Sequence, residues 1–127
     1  MTTYRLATKD EDFGFPTVMA ERNNVLVGYI ASSGSYGEYC PSIIDAINVH
    51  VLMKMFKLYD KTLESLGQQF YMIHVREDDG EVIGLLNNWE GVVFNKEKDG
   101  FLWYIRRLGN EFRTRRRSQR TTETDTG

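Results

Sequence analysis

A chain of 127 residues with 41% hydrophobic and 13% aromatic residues has enough apolar surface for one modest core, which points to a single globular domain rather than two. No apolar run approaches the roughly 18–20 residues of a membrane span, and the acid-bearing start "MTTYRLATKDED" lacks the basic and apolar regions of a secretory leader, so no membrane partner is expected and the chain reads as intracellular or packaged by something made inside a cell. The net charge of −2 hides an asymmetry: residues 1–105 carry 9 Lys/Arg against 15 Asp/Glu, whereas 106–127 carry 7 against 3.

In chain order, "TYRLA" (3–7) reads as a first strand, followed by the acidic connection "TKDEDFGFP". "TVMAERNNVLVGYIAS" sets two β-prone runs, 17–22 and 25–32, on either side of Asn23-Asn24, a pair able to take the positive φ values of a tight antiparallel hairpin. "SSGSYGEY" is a Gly/Ser loop, and "YCPSIIDAI" holds a short strand that Pro41 confines to an edge or to the strand's first residues. The single cysteine, Cys40, excludes an internal disulfide framework and a cysteine zinc cluster, and reads as a small buried or half-buried apolar residue.

From Val49 to Leu66 the period changes. Leu52, Met55, Phe56, Tyr59, Leu63 and Leu66 recur three and four apart, with Lys54, Lys57, Lys61 and Glu64 between them and Gly67 at the C′ position, which predicts a helix over 49–66. "QFYMIHV" (69–75) is then a strand apolar on both faces, expected at the centre of the sheet. "EDDGEVIGLLNN" places acids at the start of a short helix over 80–88, where the macrodipole favours them. "GVVFNKEKDGFLWYIRRL" reads as a closing hairpin with strands near 91–97 and 101–107 turning at Asp99-Gly100. The segment beyond, residues 108–127, is basic and nearly devoid of apolar residues; it is expected to be flexible unless a partner orders it.

This order, ending in "LGQQFYMIHVREDDGEVIGLLNNWEGVVFNKEKDGFLWYI", resembles the GCN5-related N-acetyltransferase (GNAT) superfamily over about residues 3–107, with "GVVF" standing where the family carries a "GF"-like turn. It is also similar to the small acetyltransferase-like internal virion proteins of short-tailed phages. The resemblance implies an α+β fold for 1–107, a mixed and mostly antiparallel sheet with one long helix (49–66) and one short helix (80–88). It also implies a location in the host cytoplasm or the virion.

The departures from the family bear on activity. Members that bind acetyl-CoA carry a glycine-containing loop before the long helix, because backbone N–H groups must approach the pyrophosphate closely. Here "CPSIIDAINVHV" has no glycine, and Asp45 would repel phosphate. The family's tyrosine, which protonates the leaving thiolate from the short helix, is replaced by Leu85, Leu86, Asn87 and Asn88. Tyr104 is a weak substitute, and Glu21 and Glu38 are the remaining candidates for a general base. His50 and His74 fall in different elements with no metal-ligand spacing, so no metal site is expected. Ser32, Ser33 and Ser35 lack a nucleophile-elbow pattern.

Three functions stay open. The favoured one is a phage-encoded acetyltransferase-like protein, catalytically degenerate, with no cofactor, serving as a virion structural or host-interaction protein. The second is an acetyl-CoA-dependent N-acetyltransferase with a divergent cofactor loop. The third is a nucleic-acid-binding accessory protein acting through the tail, where Arg113, Arg115, Arg116, Arg117 and Arg120 supply dense, permanently charged donors for phosphates or carboxylates. Attraction between the acidic body of one copy and the basic tail of another would give a homo-oligomer.

Overall fold

The computed structural model describes residues 1–7, 16–34 and 37–108. Among these, the elements follow as β1 (Thr2–Leu6), β2 (Val18–Arg22), β3 (Val25–Gly34), β4 (Gly37–Ala46), α1 (Val49–Ser65), β5 (Phe70–Arg76), α2 (Gly80–Asn87), β6 (Val92–Lys98) and β7 (Phe101–Arg107). Both tight turns form where the turn residues stand. Asn23 and Asn24 sit at φ 54° and 66° between β2 and β3, and Asp99 and Gly100 at φ 56° and 82° between β6 and β7. Paired positive φ values match the right-handed twist of the strands they join.

The strands form two antiparallel sheets, in the orders β1-β2-β3-β4 and β5-β7-β6. This corrects the expectation of a central strand at 69–75: β5 is hydrogen-bonded to β7 alone among the described strands and forms the edge of the second sheet, beside β4 but not laddered to it. Both apolar faces of β5 are satisfied without a second ladder, Tyr71, Ile73 and Val75 by the core and His74 by the Phe101 and Trp103 rings. β4 is ten residues long rather than short, and Pro41 stands inside it, on an edge strand as the proline requires. Proline leaves the strand one amide short, and register shifts against β3 at Ala31/Ser32 and Ser32/Gly34 add local twist. The two sheets part between β4 and β5.

Helix α1 bridges the parting. It begins at Asn48, whose side-chain carbonyl accepts the Val51 N–H at 2.8 Å. It ends in a Schellman arrangement, with Gly67 at φ 82° donating to the Glu64 carbonyl and Gln68 to that of Leu63. Leu52, Met55, Phe56, Tyr59 and Leu63 are fully buried, but Leu66, the last residue of the expected stripe, is 50% exposed because it is the C-cap. These side chains meet Val18, Ala20 and Ile30 of the first sheet and Tyr71, Ile73 and Tyr104 of the second in one core. Each large side chain taken fully out of water contributes about 1.5–3 kcal/mol, so this shared core holds the two sheets together where no ladder joins them. Helix α2 adds Val82 and Leu86 to the same core, its N-terminus capped by Asp79, which accepts from Val82 N at 3.3 Å. Both helices thus lie on one side of the sheets. Leu108, just past β7, is also buried, its N–H bonded to the Gln69 carbonyl at 3.0 Å.

Candidate functional site

Where the sheets part, the open edges of β4 and β5 enclose a cleft of about 210 Å³. Its walls are Ser42, Ile43 and Ile44 from β4 and His74, Val75 and Arg76 from β5, with Asp79 at the head of α2. His74 packs at 4.3 Å on the Phe101 ring, nearly parallel to it, and at 4.4 Å on Trp103. Burial among these rings holds the imidazole below its usual pKa, which favours the neutral ring. Only 5% of His74 is exposed.

The start of α1 is shaped by a capping side chain and two aliphatic neighbours. Asn48 accepts the Val51 amide, and its neighbours Ile47 and Val49 stand about half exposed. Asp45, one strand position before Ala46, is exposed as well.

The candidates for acid-base roles do not converge. Glu21 lies on β2 and makes a two-pronged ion pair with Arg5, at 3.1 and 3.2 Å. Its cross-strand neighbour is Thr3, on the face away from the helices. Tyr104 lies in the other sheet and faces the helices; it is buried and donates its hydroxyl to Asn87 Oδ1 at 2.9 Å. Burial raises its pKa, which keeps the phenol protonated. The hydroxyl therefore ends on the very helix whose tyrosine the sequence lacks. Glu38 falls on β4, while Arg113, Arg115, Arg116, Arg117 and Arg120 lie outside the described residues. No group of three metal-ligating side chains occurs among the described residues.

A buried polar network joins α1 to the second sheet. Asp60, on the inner side of α1, accepts the Tyr71 hydroxyl at 2.8 Å and two guanidinium bonds from Arg106 at 2.8 and 3.2 Å. Arg106 also stacks 4.0 Å over Trp89 and donates to the Glu90 carbonyl at 3.0 Å. Burial pushes the Asp60 carboxyl up, and Arg106 and Tyr71 pull it back. Gly91 gives way to the arginine, since at φ 91° a Cβ would lie 2.5 Å from Arg106 Nη1. The available signal was Asp60 standing four residues after Phe56 and next to Tyr59, on the buried stripe. Cys40 is buried as expected, its thiol pushed up to about 11 by burial, and Tyr59 Oη is buried with no hydrogen-bond partner among the described residues.

The two parted sheets, with a long helix beneath and a short helix after β5, define the GNAT acetyltransferase fold. Solved structures show the same arrangement. YncA of Salmonella typhimurium, solved with its cofactor acetyl-CoA, is similar over 76% of this chain and 66% of its own (16% identity, TM-score 0.54). The PaiA N-acetyltransferase of Thermoplasma acidophilum, in complex with coenzyme A, is similar over 72% and 59% (8% identity, TM-score 0.58). A GNAT-family acetyltransferase of Staphylococcus aureus is similar over 75% and 68% (14% identity, TM-score 0.59). The chain thus spans about two thirds or less of the length of the first two. No family model and no curated protein matches the sequence.

Proposed function

We propose that this is an acetyltransferase-like protein that has given up acetyl transfer and works through its surfaces, as a virion structural or host-interaction protein of a phage in the virion or the host cytoplasm. The observation that carries the reading is the start of α1. There a capping asparagine occupies the amide that a pyrophosphate would seek, between two half-exposed aliphatic side chains and close to Asp45. The Tyr104–Asn87 bond supports it, because it leaves a phenol tied to the short helix rather than a tyrosine on it. The arginines from Arg113 to Arg120 would then contact an acidic protein surface, nucleic acid or the body of a second copy. Calorimetry with acetyl-CoA tests the reading. Binding no tighter than about 1 mM is expected, and micromolar binding would overturn it.

One observation favours a second reading, an N-acetyltransferase with a divergent cofactor loop. The cleft between β4 and β5 is open, with Ser42, His74 and Arg76 on its walls. On this reading acetyl-CoA enters the cleft, and the search for a base begins with Glu21 and Glu38.

A further inference from the structure

The side of the sheets opposite α1 and α2 carries no helix among the described residues, and on the second sheet the register fixes what that bare side presents. Residues directly opposite on neighbouring strands share a face, so His74, Trp103 and Lys96 form one row, and Phe101 with Lys98 lies in the next. The contacts agree: His74 touches both rings, and Lys96 Nζ sits 5.7 Å from the centre of Trp103. Met72, Val93 and Ile105 fill the adjoining row, and Arg107 lies at the far end opposite the half-exposed Phe70. No strand residue on this face is acidic, although residues 1–105 as a whole carry six more acids than bases. Carboxylates gather beyond one end, at Glu77, Asp78, Asp79 and Asp99, where Asp78 already pairs with Arg76 at 3.1 Å. Among the described residues, the cations on this face without a carboxylate partner are Lys96, Lys98 and Arg107, and the arginine-rich segment begins a few residues after Arg107 in the sequence.

We infer that this face binds single-stranded nucleic acid, with bases stacking on Phe101 and Trp103 and phosphates held by Lys96, Lys98 and Arg107. Flat rings on a sheet, edged by cations and free of acids, supply the two terms such binding needs: sequence-tolerant stacking and phosphate neutralisation. A second copy is a poor occupant, since two-fold pairing would set these cations against themselves. Duplex nucleic acid is poorer than a single strand because its bases are already stacked. The inference rests on the reading that the protein works through its surfaces, but it concerns the sheet face and not the cleft. Acetyl-CoA calorimetry and oligonucleotide binding therefore fail independently.

The test measures anisotropy of a labelled oligothymidylate of about twelve nucleotides with the full chain. The double variant Lys96→Glu/Lys98→Glu, at two exposed positions, should weaken binding at least about tenfold and lower the slope of log affinity on log salt by about 1.4, for two lost phosphate contacts. Trp103→Leu should weaken it about five- to 150-fold and remove most of the fluorescence quenching that binding produces. A third variant, with Arg113, Arg115, Arg116, Arg117 and Arg120 all changed to Gln, should keep the Trp103-dependent part. Absence of binding by the unaltered chain would overturn the inference. So would binding that ignores Lys96, Lys98 and Trp103, which would assign it to the tail. So would polyglutamate competing as well as oligothymidylate, which would point to an acidic protein instead.

Discussion

On β7, Tyr104 and Arg106 turn toward the helices, where one meets Asn87 and the other Asp60, while Phe101, Trp103 and Ile105 alternate with them onto a face that no described helix covers. The same three strands thus carry two chemistries. The inner face is apolar with every identified polar group on β7 tied to a specific partner, as a low-dielectric interior requires. The outer face mixes rings and cations that are only partly shielded, which costs little in water. The difference teaches that the inner face holds the fold together, whereas the outer face, which no described helix covers, is where the inferred recognition would take place, and substitution should separate the two.

The largest effect is expected inside. Phe56→Ala should cost about 3–5 kcal/mol in urea unfolding, because the ring is fully buried and packs against Trp89 at 5.5 Å. Val93→Ala, on the outer face, should stay within about 0.5 kcal/mol. Equal losses at the two sites would erase the distinction between the faces.

Next comes the buried ion pair. Arg106→Met should cost about 3 kcal/mol, because it leaves the Asp60 carboxylate buried with only the Tyr71 hydroxyl facing it. Adding Asp60→Leu to that variant should recover part of the loss, as a double-mutant cycle would show. No coupling between the two positions would mean that the pair does not contribute as drawn.

Tyr104→Phe removes one hydrogen bond and should cost about 1 kcal/mol. A larger loss would mean that Asn87 depends on this hydroxyl to hold the end of α2.

The smallest effect is a pH dependence. Burial sets the folded-state pKa of His74 below the unfolded value near 6.5, so as the pH falls the unfolded chain takes up the proton first. The stability linked to His74 is fully present above about pH 6.5 and is lost as the pH drops from there toward the folded-state value. Unfolding curves at about pH 7.5 and 5 should therefore converge more closely for His74→Gln than for the unaltered protein. An unchanged gap would show that the ring titrates as if exposed.

Local chemistry was legible in the sequence wherever one residue type dictates a conformation. Asn23-Asn24 and Asp99-Gly100 marked their turns because few residues tolerate positive φ in pairs, and Gly67 marked the end of α1 for the same reason. The helix stripe was legible as well, down to the five residues that are fully buried, and with it the α+β order of elements. Tertiary structure alone decided that the sheet parts between β4 and β5. An edge is a relation between two distant strands, and the apolar faces of β5 are equally compatible with a ladder on one side or on both. It also decided the partners of Asp60, which lie 11 and 46 positions away along the chain. Finally, it set His74, Phe101, Trp103 and Lys96 on one face, because that grouping follows from cross-strand register, which no single strand's sequence contains.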